Sequence, residues 1–585
     1  MGGVRNFAII GLGPRGGYAL ECFIVELAKQ NCLTNIHISL FESTKNFGNG
    51  QVYDLVQNQS NWINITERIL TLPGRPAINS ETIKIDSFPS YHNWIDNDYD
   101  KLSPDAMDTY PPRSKVGEYL SERFQSLTRP LIKSKIATLH KMEVNVVTLL
   151  ENNKIQISTA DKVFNDYDEI LLTIGHQITE KSQQIRDWEE YSKDNVNVSL
   201  FEHPYPTKNY LDHITLHSSS TIGIRGFGLA MIDVVRSIVN QFGYFEILDD
   251  RTQLTSYRLE TDMSITLVPF SLDGLPPAPK PLNATVDRWF EPTDDAISKF
   301  EEQIDNVKVQ AAADGPDFLI DAFAPIAADI YLKLANKIDS KHLSKESLIN
   351  IIKCWLKDQS TDNTLCVPQN QPALKTMKMF VEMASGTGSI SLDYCIGQVW
   401  RHCQPTIYKA LSFSECSNKV IAELIDLDES TKRYSYGPPV SSIQQLIALE
   451  EVGILNLSMV KDPDIHLLKQ GWQLKNATNS ITASIMIDSV LDSPKFKAVL
   501  SPIVRRLLID ERIQTVHDDL GVETDDYGYL TSRIKDSKIP IALLGRLAKG
   551  TIIGVDAILE CFGARPRQWA ERASKKHKYY LESTV

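Results

Sequence analysis

Phe7-Ala8-Ile9-Ile10-Gly11-Leu12-Gly13-Pro14-Arg15-Gly16 is the stretch on which the fold turns. Its apolar half suits a strand buried on both faces of a parallel sheet. The glycines follow at once. Gly11 permits a tight turn, Gly13 lets the backbone approach a pyrophosphate, and Gly16 allows close packing of helix on strand, with Pro14 and Arg15 between them. Residues 18–30 then carry Leu20, Phe23, Ile24, Leu27 and Ala28 at helical spacing, and residues 36–42 alternate like a strand that ends on Glu42. Strand, glycine turn, helix, strand, acid is the order of a dinucleotide-binding unit. The helix start offers free N–H groups and partial positive charge to a diphosphate. Glu42, about 26 residues past Gly16, stands where an acid grips ribose hydroxyls, and its charge disfavours a ribose bearing a 2′-phosphate. A bare glycine turn also occurs without a ligand; here the register of helix, strand and acid speaks for one.

Outward from this unit, the chain has 585 residues, too many for one ordinary core, so two or three domains are expected. Hydrophobic residues make up 42% and charged residues 23%, the balance of a soluble globular protein. The net charge of −13 argues against nucleic acid and anionic membranes as partners. No run of about 18 uncharged apolar residues is present, so no transmembrane helix is expected. The eight cysteines form no CxxC pair and fit a reducing cytoplasm. No His/Cys spacing suggests a metal site.

Further segments carry a resemblance. They are Gly48-Asn49-Gly50-Gln51-Val52-Tyr53, Trp62-Ile63-Asn64-Ile65-Thr66, Phe88-Pro89 with Trp94, Pro111-Pro112-Arg113 with Gly117 and Tyr119, and Thr173-Ile174-Gly175-His176. A second glycine turn follows at Gly223-Ile224-Arg225-Gly226-Phe227-Gly228, then Tyr436-Gly437-Pro438-Pro439 and a last segment, Ile553-Gly554-Val555-Asp556. With these the chain resembles the FAD/NAD(P)-binding oxidoreductases, Rossmann flavoproteins related to N-hydroxylating flavin monooxygenases, aspartate N-monooxygenases among them. The resemblance implies an FAD site made by Gly11, Gly13, Pro14, Arg15, Gly16, Glu42, Gly48, Gly50, Asn64, Arg113, Thr173, Gly175, His176 and Asp556. By their chemistry alone, Arg113 pairs with phosphate, with a substrate carboxylate or with a protein acid. His176 either hydrogen-bonds near the flavin or is a structural histidine.

Arg225, Gly226 and Gly228 of the second turn are read as holding a nicotinamide nucleotide. Met231 stands where a third glycine would allow closer packing, which leaves open a turn that only supports the fold. Asp273 would repel a 2′-phosphate and Lys280 is near enough in sequence to compensate, so NADPH and NADH are both retained. Residues 297–403 are mostly helical in pattern, with a start or kink at Pro325. The expected organisation is α/β: a Rossmann-type FAD-binding domain over 1–218, a second nucleotide-binding-like segment over 219–296, a helical insertion over 297–429, and a return to the FAD domain over 430–585. The insertion is read as a lid or as the surface of a homo-oligomer. Residues 430–585 are expected to mix strands and loops, with strands at 455–459 and 552–559 and a solvated basic helix at the end. The expected activity is that of an FAD-dependent oxidoreductase, an NAD(P)H-using monooxygenase of a small polar amine or amino acid. An FAD dehydrogenase or oxidase, or a non-catalytic nucleotide-binding protein, are the alternatives. No catalytic residue is assigned.

Overall fold

The computed structural model describes residues 3–583 except 98, 215–218, 262–263, 340–342, 492–497, 510–512, 518–519, 535–537 and 556. The opening apolar run forms β1 (Arg5–Ile10), and Pro14 begins α1 (Pro14–Lys29), where its missing N–H costs no helical bond. They are followed by β2 (Ile36–Phe41), α2 (Arg113–Lys133) and β3 (Ala137–His140). The antiparallel meander β4 (Val146–Leu149), β5 (Ile155–Ser158) and β6 (Val163–Tyr167) leads into β7 (Glu169–Leu172). A second set comprises β8 (Ser199–Phe201), β9 (Ser219–Arg225), α3 (Leu229–Val239) and β10 (Ser264–Phe270). A helical block follows, with α4 (Asp317–Lys333), α5 (Leu392–Leu411) and α6 (Asn418–Ser435) its longest members. The chain closes with β11 (Asp464–Leu468), β12 (Gly471–Lys475), β13 (Ser480–Ala483), β14 (Ile485–Asp488), β15 (Ile541–Leu543) and α7 (Ala564–Ser583).

Two parallel sheets result. The first has the order β15-β7-β1-β2-β3 and the second β8-β14-β9-β10. Each glycine turn therefore leaves the C-terminal end of an interior strand, β1 in one sheet and β9 in the other. Both faces of the first sheet are covered. Leu20, Phe23, Ile24 and Leu27 of α1 lie on one side, and Val147, Ile155, Ile157 and Tyr167 of the meander lie on the other. This explains why β1 is an unbroken apolar run rather than an alternating one.

The structure departs from the expected layout in several places. Strands 199–201 and 485–488 pair with the second sheet, not the first. The helices begin at Ala284 and continue to Glu451, because Val440, Ile443, Leu446 and Ile447 recur at helical spacing that a strand-and-loop reading of 430–455 overlooks. Residues 455–459 form no strand; Leu455 makes only a bridge to Leu267. The described part of 552–559 is not a strand either, since Gly550 and Gly554 take positive φ angles (111° and 77°) that break the extension. Pro325 lies inside α4, so no helix starts there. The basic tail forms the expected helix, α7, but one face of it is core: Trp569, Ala570 and Ala573 pack into the α1 cluster, with Trp569 5.3 Å from the Phe23 ring. No helix among the described residues is long and apolar enough to cross a membrane.

Candidate nucleotide and flavin site

The first turn is assembled from contacts that only glycine permits. A Cβ on Gly11, whose φ is +90°, would lie 2.5 Å from the Thr173 carbonyl oxygen, and one on Gly16 would collide with the Gly11 carbonyl. Thr173 locks the turn from β7: its N–H donates to Ile10 O at 2.8 Å and its Oγ1 to Gly11 O at 2.5 Å. Gly13 is different. Its φ of −70° suits any residue, and a Cβ there would meet only Gly50 Cα, at 3.7 Å. Nothing in the protein demands glycine at 13; the open space on its backbone is what a pyrophosphate needs. The α1 N-terminus matches: no side chain caps it and its first turn carries no acid, which leaves its N–H groups for an anion.

The loop at Gly48 and Gly50 lies directly on this turn. Gly48 N–H donates to Leu12 O at 2.6 Å, its φ is +88°, and a Cβ would press on Phe124 and Leu120 O. Glu42, buried at the end of β2, accepts from Leu12 N–H at 2.8 Å and from Thr44 N–H and Oγ1 at 3.0 and 2.8 Å. It thus ties the turn to β2, and a carboxylate has lone pairs left for ribose hydroxyls. Arg15 reaches to the C-terminal segment, where its Nη2 donates to Val555 O at 3.0 Å. Gly175 has φ +66° and no heavy atom near its missing Cβ, and His176 is exposed beside it at the rim of the turn. Asp556 falls outside the described residues. The residues present fit an FAD diphosphate and ribose.

The structure gives Arg113 a protein partner. Its Nη2 donates to Asp233 Oδ2 of α3 at 2.8 Å, it stacks over Tyr205 at 5.0 Å, and Tyr205 OH donates to the same carboxylate at 2.5 Å. Arg236 completes the clasp, stacking over Trp62 at 3.9 Å and donating to Ser60 O at 2.7 Å. Burial pushes the Asp233 carboxyl up despite the two guanidiniums. This cluster joins the first unit to the second.

At the second turn, Gly226 has φ +114° and Gly228 no heavy atom within 4 Å of a Cβ position. The α3 N-terminus is again uncapped and free of acids. Arg225, expected to meet a phosphate, is held by Asp488 of β14 at 2.9 and 3.1 Å. Met231 is fully buried in the second core. Asp273 pairs with Arg433, so its charge is offset from within the chain. Lys280 does not compensate there. It turns to the first unit and donates to Asn64 O at 2.5 Å. Asn64 in turn donates from Nδ2 to Tyr436 O at 2.8 Å. Tyr436 also lines a small cavity with Tyr408, Asp428, Lys432, Ile553 and Gly554. Sequence reasoning missed Tyr408, Asp428 and Lys432, because their meeting depends on how α5 and α6 cross the C-terminal segment and no local motif marks them.

The fold is α/β, with two parallel sheets that each carry an open glycine turn ahead of an uncapped helix. Residues 8–177 match the family model described as FAD-NAD(P)-binding, and this part of the chain is such a domain. No curated protein matches the sequence. Among solved structures, L-lysine 6-monooxygenase from Pseudomonas syringae is similar at 12% identity and a TM-score of 0.44, over 99% of this chain and 100% of that one. Cyclohexanone monooxygenase from Rhodococcus sp. Phi1, bound to NADP+, is similar at 12% identity and a TM-score of 0.41, over 99% of this chain and 85% of the other.

Proposed function

We propose that the protein is an FAD-dependent oxidoreductase that takes a hydride from NAD(P)H and acts as a monooxygenase on a small polar amine or amino acid. One observation carries this reading. Gly13 and Gly228 each face open space at the start of an uncapped helix, at the C-terminal edge of its own parallel sheet, so one chain offers two diphosphate seats. FAD, when bound at the first, supplies the hydride and oxygen chemistry. The protein's part is to hold, orient and exclude water. Glu42 grips the adenosine ribose, the α1 N-terminus the diphosphate, and the Arg113–Asp233–Arg236 clasp fixes one seat against the other. The helical block packs against residues 549–555 of the C-terminal segment, which helps to keep water from the first seat. A site in the cytoplasm suits the acidic surface and the eight free cysteines.

The test is anaerobic titration of the FAD-loaded protein with NADPH and with NADH, followed by air and candidate amines. Bleaching by one equivalent of a nicotinamide, then amine-dependent oxygen uptake, is expected. Bleaching by substrate without nicotinamide would make it a dehydrogenase or oxidase. No bleaching by any reductant would leave a binding protein.

A further inference from the structure

Lys280 sits on the segment that leaves β10 and crosses back to the first unit. Its backbone N–H is tied to Pro438 O at 3.0 Å, and the neighbouring Ala278 carbonyl lies against Gly437, where a Cβ would collide with it. The segment is thereby pinned on both sides, and the lysine is not a floppy surface group. Its ammonium has three donors. Among the described residues its one hydrogen-bond acceptor is the Asn64 backbone carbonyl. The side-chain carbonyl of the same Asn64 is buried with no hydrogen-bond partner, a state that costs free energy unless a ligand supplies a donor. Neither residue is wholly buried: each keeps part of its surface exposed. Burial lowers the Lys280 pKa to about 7, helped by the nearby Arg401 guanidinium and opposed by Asp287, which is itself held by Arg401 and His402. Unused donors thus stand beside an unused acceptor.

We propose that Lys280 and Asn64 together seat the polar edge of a heteroaromatic ring bearing a carbonyl oxygen beside an N–H, the edge that the flavin ring of FAD presents. Lys280 donates to the ring carbonyl and Asn64 Oδ1 accepts from the ring N–H. A cation at that edge favours the ring form that carries negative charge, so Lys280 raises the reduction potential of bound FAD. The inference rests on FAD being the ligand of the first unit, and it adds a residue that no glycine motif marks.

The experiment measures the two-electron midpoint potential of bound FAD at pH 7 in the wild type, Lys280→Met and Lys280→Arg, beside the melting midpoints of the FAD-free proteins. Lys280→Met is expected to lower the equilibrium constant for reduction at least tenfold, ~30 mV for a two-electron couple, while Lys280→Arg keeps the wild-type value within that range. FAD-free Lys280→Met is expected to melt no lower than wild type, since it loses a desolvated charge; loss of FAD uptake by a variant that melts so also supports the proposal. A smaller than tenfold change in Lys280→Met overturns it, including the case where only the KM for substrate moves. Should Lys280→Met not fold, Asn64→Ala is read by FAD affinity: a tenfold loss supports the pairing and an unchanged affinity overturns it. Wild-type protein that takes up no FAD fails the underlying functional reading instead, a result distinct from either.

Discussion

At the scale of single residues, the glycines of the first turn separate into two kinds. Gly11 and Gly16 are fixed by the protein's own backbone, whereas Gly13 faces almost nothing. Gly11→Ala and Gly16→Ala should therefore destabilise the fold by about 2 kcal/mol or more, through overpacking and, at 11, a strained φ. Gly13→Ala should leave the denaturant midpoint nearly unchanged; urea titrations of the three variants check this. Glu67 offers a pH prediction. Burial pushes its carboxyl up, but hydrogen bonds from Tyr99, Thr109 and Tyr91 and the charge of Lys115 together hold it below the usual value. Its contribution is present above the unfolded value, about pH 4.3, and is lost as pH falls through the lower folded one. The stability gap between wild type and Glu67→Gln should narrow on acidification from pH 6 to pH 3, and a gap that widens would contradict this. The first glycine turn and the strand that ends at Glu42 were legible because strand, turn, helix and strand follow one another within about 40 residues. The partners of Arg113, Arg225 and Lys280 were not, since Asp233, Asp488 and Asn64 lie 120, 263 and 216 positions away.

At the scale of elements, the clasp between α2 and α3 joins the two glycine-turn units. Asp233→Ala strands the Arg113 guanidinium in a largely buried place and should cost about 3 kcal/mol. Denaturant unfolding of the variant measures it; a loss below about 1 kcal/mol would show that the clasp is not what joins the units. The first βαβ unit was readable because its apolar period changes from strand to helix within one short window. The second sheet was only half readable. Its strands β8 and β14 are separated by more than 280 residues with the helical block between them, and nothing local says which sheet a short apolar strand will join.

For the whole molecule, the chain ends where it began. β15 extends the first sheet beside β7, Arg15 holds Val555, and α7 lies on α1. Trp569→Ala should cost about 3 kcal/mol, because the ring is fully buried against Phe23; a small change in thermal midpoint would mean that α7 is dispensable to the first core. A basic composition hid this packing, since the apolar face of α7 is narrow and mostly alanine beside one tryptophan. The proposed function depends on a diphosphate seat at the first turn. Calorimetric titration of FAD into the wild-type apoprotein and into Gly13→Ala tests it most directly. One FAD per chain for the wild type, and at least a tenfold weaker affinity for a variant of unchanged stability, is the predicted result. A wild-type protein that takes up no FAD, or a Gly13→Ala variant that binds it equally well, would contradict it.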